Sequence, residues 1–337
     1  MGRALLAASA AALAQSLLLA SCTAGDDPSP GARAAPSTPP TSRLSPSAAT
    51  PSTQTPSGPA LPQGNPSPRP AGAFDAAAAM ADVRLLAGRI GPRLATGPAY
   101  RRAGRWAERR FSSLGYDVRR EVFGVPGGDS WGVPVDGGRS FNVVAEPSGF
   151  DASRPHMVLG AHLDTVAGAP GAEDNASGVA VLLEVARLVA GSPTSTRVPV
   201  VLIAFGAEEP RGPGDELHHF GSRHHVASMS RARRDALTAM VSLDRVGVGS
   251  VVPVCTGPLS PPRVQRALLR TAARIDVPAE ACENTASDHW SFEKAGFAVA
   301  RLGSTGYAAY HSRGDVPSVV DQRQLGRTGR LVWAWLR

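Results

Sequence analysis

One Gly-rich stretch of the sequence concentrates acidic and histidine side chains between two apolar segments. It reads HLDTVAGAPGAEDNASG from His162 to Gly178 and contains Asp164, Glu173 and Asp174. Imidazole nitrogens and carboxylate oxygens are ligands that Zn²⁺ accepts. The stretch therefore indicates a metal-binding loop between a strand and a helix.

Further titratable residues follow other apolar segments that have the composition of buried strands. Glu208 and Glu209 follow VLIAFGA, and Asp244 follows MVSL. The segment FAVARLG leads into YAAYHSRGD, which contains Tyr310, His311 and Asp315. Ligands of α/β proteins bind beyond the carboxyl ends of the strands, so these residues predict one site at a single edge of a sheet.

The number of these residues suits a centre with two metal ions. Two metals about 3.5–4 Å apart share a water or hydroxide, and a carboxylate that bridges them completes the centre. With one histidine and one terminal carboxylate for each metal, the predicted ligands are His162, Asp174, Glu209, Asp244 and His311. The second nitrogen of a ligating histidine needs a partner, and Asp164 is placed to hold that of His162.

Strands and helices that alternate along the chain would position these residues. Strands are predicted at 116–123, 140–147, 156–162, 198–209, 236–244, 251–255 and 297–303. Helices are predicted at 74–90, 98–115, 175–190, 220–229, 262–275 and 321–336. This alternation predicts one α/β domain with three α/β/α layers and a mostly parallel mixed sheet.

The N-terminal sequence has the pattern of an export signal. A basic start precedes an apolar run at 4–20, and the run ends in LASC at Cys22. A cysteine after small residues resembles a bacterial lipobox, which implies cleavage before Cys22 and its acylation; the alternative is an ordinary signal peptide. We expect a signal at 1–21, a disordered Pro/Ser/Thr-rich tether at 22–72, a folded domain at 73–337, and an extracytoplasmic lipoprotein anchored to the cell membrane.

The net charge of +7 does not indicate a nucleic-acid-binding protein. Lys294 is the only lysine, and the arginines are scattered without a basic stripe that carries aromatic residues. If Cys22 carries lipid, Cys255 and Cys282 remain, and outside the cytoplasm such a pair is expected to form a disulfide. This bond would hold the nearby loop Ser287-Asp288-His289, which we expect on the substrate side of the site.

The combined motifs resemble a known family. They are His162-x-Asp164, Asp174-Asn175-x-Ser177-Gly178, Gly206-Ala207-Glu208-Glu209, Leu243-Asp244, Ser287-Asp288-His289 and Tyr310-His311. This set, from about Phe74 onward, resembles the secreted bacterial dizinc aminopeptidases. These belong to the zinc-exopeptidase family of peptidase clan MH (phosphorylase/hydrolase-like fold), which also includes glutamate carboxypeptidases and glutaminyl cyclases.

The resemblance implies a role for each matched residue. His162 and Asp244 would hold one zinc ion, Glu209 and His311 would hold the other, and Asp174 would bridge them. Glu208 would be the general base for a metal-bridging water, and Tyr310 would donate to the oxyanion. Asp164 and Asp315 are expected to hold the ligand residues in place without binding metal themselves.

The expected activity is release of N-terminal residues from peptides with a free amine, by a monomeric enzyme that holds two Zn²⁺. Three alternatives use the same fold: carboxypeptidase, deacylase and glutaminyl cyclase activity. A fourth is a binding module without catalysis, which the full ligand set disfavours. The chain departs from the family pattern at 210–220, where an insertion offers His218 and His219 as additional ligands. His224 and His225 are expected on the surface of the next helix.

Overall fold

The structure is a computed structural model, and it describes residues 72–337. The predicted signal peptide, Cys22 and the tether up to residue 71 lie outside the described residues, so those expectations stay predictions. None of the helices in the described range has both the length and the apolarity of a membrane span.

An eight-stranded mixed sheet forms the centre of this range, with a two-stranded hairpin beside it. The strands are β1 Asp117–Val125, β2 Gly128–Asp129, β3 Pro134–Val135, β4 Gly138–Glu146, β5 His156–His162, β6 Val200–Phe205, β7 Leu237–Leu243, β8 Val252–Thr256, β9 Ala279–Glu283 and β10 Val299–Leu302. The sheet order is β1-β4-β6-β5-β7-β10-β8-β9, and β2 pairs with β3.

The four central strands β6, β5, β7 and β10 are parallel neighbours. Their carboxyl ends therefore lie at one edge of the sheet. The pairs β1–β4, β4–β6 and β10–β8 are antiparallel, whereas β8 and β9 are parallel. The predicted mixed, mostly parallel sheet is confirmed.

Helices cover both faces of the sheet. They are α1 Ala76–Val83, α2 Pro98–Ser113, α3 Gly178–Gly191, α4 Phe220–Ser228, α5 Arg231–Ala236, α6 Arg263–Arg274, α7 His289–Lys294 and α8 Gln322–Leu336. The larger core joins one face of the sheet to α1, α2, α3, α6 and α8. A second core on the other face contains Val158, Ile203 and Phe205 and packs against Phe292 of α7. The three-layer architecture is thus confirmed.

Some predicted boundaries are wrong, and each error has a local cause. Strand β6 ends at Phe205 rather than 209, because Ala207 adopts a left-handed conformation with φ of 54°. Helix α3 begins at Gly178 rather than Asn175, because Asp174 and Asn175 have non-helical backbone angles. Strand β9 was not predicted, since its residues are exposed or only half-buried and give no apolar pattern.

Cys255 and Cys282 form the predicted disulfide. They are register partners on β8 and β9, and their Cα atoms are 4.4 Å apart. The bond therefore links the outermost strand of the sheet to its neighbour.

Candidate metal centre

Asp174 lies between the two predicted ligand histidines. Its Oδ1 is 3.1 Å from His162 Nε2, and its Oδ2 is 3.3 Å from His311 Nε2. A carboxylate that presents one oxygen to each side has the arrangement required of a bridging ligand. The loop before α3 thus places Asp174 between the ends of β5 and the segment that follows β10.

The remaining predicted ligands lie one on each side of Asp174. Asp244 Oδ1 is 3.7 Å from His162 Nε2, and Glu209 Oε2 is 3.2 Å from His311 Nε2. Three groups of described residues have ligand atoms close enough for one cation each. Two of them share Asp174: one adds His162 and Asp244, and the other adds Glu209 and His311. The third group combines His162, Glu208 and Glu209.

Several oxygens in these groups fit a cation better than they fit a metal-free hydrogen-bond network. Glu209 Oε1 and Asp244 Oδ1 are buried without a hydrogen-bond partner among the described residues. Burial, followed by the charge of Asp174, raises the pKa of Glu209 to about 8. Buried unpaired carboxylates are costly unless a positive charge compensates them, so the donor set fits two divalent ions with nitrogen and oxygen ligands.

Asp164 supports two parts of the centre. Its main-chain oxygen lies 3.3 Å from His162 Nδ1, while its carboxylate Oδ1 is 3.8 Å away. The carboxylate instead accepts hydrogen bonds from the main-chain N–H groups of Glu208 (3.1 Å) and Glu209 (3.2 Å). The side chain therefore holds the loop after β6, and it is the main chain that holds the histidine.

Asp315 supports the bridging residue. Its carboxylate accepts hydrogen bonds from the N–H groups of Glu173 (2.8 Å) and Asp174 (3.1 Å) and from the hydroxyl of Tyr307 (3.0 Å). Glu173, which is also buried, accepts from Gly247 N–H at 3.0 Å. Asp315 thus holds the backbone of this loop, and Glu173 links the loop to the segment after β7.

Arg93 was missed in the sequence, although it braces the same loop. It is fully buried, and its guanidinium donates to the carbonyl oxygens of Leu163 (2.9 Å), Pro170 (2.7 Å) and Gly171 (2.9 Å). These carbonyls lie at the start and in the middle of the stretch from His162 to Gly178. No periodicity or motif marks Arg93, because its partners are main-chain atoms about 70 residues away.

The predicted base and oxyanion donor both line the cleft over the ligands. Glu208 Oε2 is 3.8 Å from His162 Nε2, and Oε1 is 3.3 Å from His219 Nε2. The ring of Tyr310 stacks on His311 with centroids 3.7 Å apart and is partly exposed. Tyr310 therefore lies beside the ligand groups, whereas Glu208 belongs only to the group that lacks Asp174.

The loop Ser287-Asp288-His289 is not on the substrate side. All three residues are fully buried, and the neighbouring Ala286 lines the cleft in their place. Ser287 is 2.9 Å from Ser242 between hydroxyl oxygens, and His289 Nε2 is 2.7 Å from the Asn284 carbonyl oxygen. The loop therefore packs against the end of β7 through Ser242 and supports the site without facing the cleft.

The insertion forms part of the cleft wall. His218 and His219 line the cleft, but neither belongs to a potential ligand group among the described residues.

The expectation that His225 lies on the surface of α4 is wrong. His225 is buried, and its Nδ1 is 2.8 Å from Glu121 Oε2 on β1. His224 is half-buried against Phe123. The sequence pattern of α4 contains no trace of the distant Glu121.

Three other residues of the cleft were also missed. Trp131, in the hairpin between β2 and β3, contacts His311 at a ring-centroid distance of 4.3 Å. Arg245 and Arg301 line the same cleft, which has a volume of about 80 Å³. Arg301 Nη2 is 3.2 Å from Asp244 Oδ2. The site thus combines a carboxylate-rich floor with two guanidinium groups.

Comparison with known proteins identifies the class of this site. Residues 142–336, more than half of the chain, match the family model of peptidase family M28. The chain belongs to this family, and the resemblance noted in the sequence is confirmed.

The relatives match over part of their length. The uncharacterized protein YfbL of Escherichia coli K12 is 36% identical over 144 residues, which cover 40% of this chain and 42% of that protein. The aminopeptidase YwaD of Bacillus subtilis is 35% identical over 109 residues, 32% of this chain and 22% of YwaD. The matched segments thus span less than half of these relatives.

Solved structures share the fold over a longer range. BSAP, a zinc aminopeptidase from Bacillus subtilis, superposes with a TM-score of 0.69 at 19% identity, covering 78% of this chain and 94% of that one. A glutaminyl cyclase from Porphyromonas gingivalis gives 0.66 at 23% identity, covering 78% and 98%. At these identities the comparison shows the common architecture alone.

Proposed function

We propose that this protein is a dizinc aminopeptidase that hydrolyses the N-terminal bond of peptides with a free amine. The observation that carries the proposal is the position of Asp174, whose two oxygens face His162 and His311. Asp244 and Glu209 complete one ligand group on each side. Family membership and the aminopeptidases among the similar proteins support the choice of reaction.

The chain's own residues would divide the chemistry among them. Two zinc ions, when bound, would polarise the scissile carbonyl and acidify the attacking water. Glu208 would take the proton from that water and pass it to the leaving amine. Tyr310 would donate a hydrogen bond to the oxyanion, and cleft carboxylates would pair with the substrate's free amine.

The experiment measures zinc and turnover together. Zinc content and hydrolysis of leucine p-nitroanilide are compared for the wild type, Asp174→Ala and Asp235→Ala. Asp174→Ala should lose both metal and activity, because it removes a ligand from both groups. Asp235 is an exposed acid of α5, so its variant is the matched control. Full zinc occupancy with normal turnover in Asp174→Ala would refute the dizinc centre.

A peptide with N-terminal glutamine separates this function from cyclisation. An aminopeptidase releases free glutamine and shortens the peptide by one residue. A cyclase releases ammonia and leaves every peptide bond intact. The five filled ligand positions favour hydrolysis. Ammonia release without free glutamine would assign the cyclase reaction instead.

A further inference from the structure

The two arginines of the cleft differ in how their charges are satisfied. Arg301 on β10 is fully buried, and its Nη1 donates to Asn284 Oδ1 (2.6 Å) and to the Ala286 carbonyl oxygen (2.7 Å). Its Nη2 is 3.2 Å from Asp244 Oδ2. The protein itself therefore occupies both terminal nitrogens of Arg301, while its Nε is buried without a hydrogen-bond partner among the described residues. Because it is fully buried and faces Asp244, Arg301 acts as a support for that residue.

Arg245 has no comparable set of partners. The nearest charged atom to its side chain is Asp244 Oδ1, 3.8 Å from Nε, which is beyond hydrogen-bond distance. Within residues 72–337 its guanidinium makes no side-chain hydrogen bond, and its carbon lies 4.6 Å from the centre of the Tyr310 ring. Arg245 thus places a charged group with unused donors in the wall of the cleft.

The backbone holds Arg245 in this position. Its φ is 58°, in the left-handed region, and its N–H donates to Asn175 Oδ1 at 3.3 Å. Its carbonyl oxygen accepts from Ser304 N–H at 3.3 Å. A Cβ at Gly303 would overlap the main-chain oxygens of Asp244 and Arg245, so only glycine allows this close approach. The placement is therefore built into the site and does not depend on a mobile surface side chain.

Asp244 is close enough to balance the charge of Arg245 but too far to accept its hydrogen bonds, so this largely buried guanidinium keeps donors for a ligand. Peptide hydrolysis at a free N-terminus does not require it, because the substrate amine is itself positive. The carboxylates of Asp174, Glu208 and Glu209 would repel an acidic group that entered the cleft. A guanidinium at the wall removes this barrier, and its fork of N–H donors matches the two oxygens of a carboxylate.

We propose that Arg245 binds a carboxylate of the peptide substrate and so selects acidic substrates; this rests on the proposed peptidase function. Two parts of a peptide can supply this carboxylate. One is the side chain of an N-terminal glutamate or aspartate, and the other is the terminal carboxylate of a dipeptide. Tyr310, which packs against the guanidinium, would hold it in the orientation for this contact.

The test compares substrates that differ only in the carboxylate. Glutamate and glutamine p-nitroanilides probe the side-chain source, and Leu-Gly and Leu-Gly-amide probe the terminal source. The measured quantity is the ratio of kcat/KM for the acid to that for its amide, in the zinc-loaded wild type, Arg245→Met and Arg245→Lys. For one of the two pairs, Arg245→Met should lower this ratio by about 10–100-fold, the usual effect of losing a charged hydrogen bond.

The pair that responds identifies the source of the carboxylate. Arg245→Lys should fall between the wild type and Arg245→Met, because it keeps the charge but loses the fork. If Arg245 only supported Asp244, both members of each pair would lose activity equally. Unchanged ratios for both pairs in Arg245→Met would therefore overturn the proposal. Arg101→Met, at an exposed position on α2, is the matched control.

A binding measurement separates this inference from the proposed function. Calorimetric titration of the zinc-loaded protein with glutamate and with glutamine should show tighter glutamate binding that Arg245→Met removes, if the side-chain source applies. For the terminal source, the same titration uses uncleaved D-Leu-Gly and its amide. Absence of hydrolysis in a zinc-loaded protein that binds the acids selectively refutes the peptidase and keeps the inference. Hydrolysis without any preference for the acids refutes the inference about Arg245 and keeps the peptidase function.

Discussion

At the residue scale, the adjacent glutamates after β6 have different surroundings. Glu209 Oε2 is 3.2 Å from His311 Nε2, whereas Glu208 is bounded by His219 at 3.3 Å and His162 at 3.8 Å. Ala207, with φ of 54°, turns the chain just before them. Two successive carboxylates can thus serve different tasks, one as a ligand and one as a base.

The first prediction concerns the proposed base. Glu208→Gln keeps the shape of the side chain but cannot accept the proton from water. We expect both zinc ions to stay bound while kcat falls by about 10²–10⁴-fold. KM should change little, because the lost interaction belongs mainly to the transition state. Bound zinc and steady-state kinetics check this, and loss of metal in this variant would contradict the assignment.

The second prediction concerns the proposed ligand. Glu209→Gln removes a charge from the group that contains His311 and should weaken one zinc site. Its activity should therefore recover in part when Zn²⁺ is added, whereas that of Glu208→Gln should not. Zinc titrations of the two variants, run side by side, make each the control for the other. Equal rescue of both would show that the two acids are interchangeable.

At the element scale, the disulfide joins the two strands at one end of the sheet. Among residues 72–337, strand β9 pairs only with β8, and its side chains are exposed or half-buried. Little apolar contact therefore holds it. Asn284, two residues after Cys282, accepts a hydrogen bond from Arg301, which in turn pairs with Asp244.

The third prediction is that this bond contributes about 2–4 kcal/mol to the free energy of unfolding. Replacing Cys255 and Cys282 together with alanine should lower the denaturant midpoint by the corresponding amount. Wild-type protein in excess reductant should shift toward the same midpoint, which controls for the alanine side chains. A double variant as stable as the oxidised wild type would show that the bond adds nothing.

The sequence predicted those elements whose residues carry a local pattern. The continuous apolar runs of β5 and β7 gave their positions, and the acids and histidines at the strand ends gave the candidate ligands. Parallel neighbours then bring these ends together. This reasoning needs the order of residues in the chain and no knowledge of distant contacts.

Features that depend on distant partners could not be predicted in this way. Arg93 binds carbonyls of the ligand loop, and His225 is buried against Glu121, 104 residues away in the chain. The loop at Asp288 has polar residues typical of a surface, yet it is packed under the cleft. In each case burial is decided by tertiary neighbours, which outweigh the polarity of the segment.

At the scale of the whole molecule, the first described residues of the chain contact the C-terminal helix α8. The indole N–H of Trp333 on α8 donates to the Gly72 carbonyl oxygen at 3.0 Å, and α1 packs against α8. The core that covers the sheet is made entirely of residues after Gly72 in the described range.

The last prediction concerns the proposed lipid anchor. Cys22→Ala removes the site of acylation and should move the protein from the membrane fraction to the soluble extracytoplasmic fraction. Its melting temperature and turnover should match those of the wild type, because Cys22 precedes the residues that form the core and the cleft. Fractionation, thermal unfolding and peptidase assays of both forms measure this. Unchanged membrane association of the variant would refute acylation of Cys22 as the anchor.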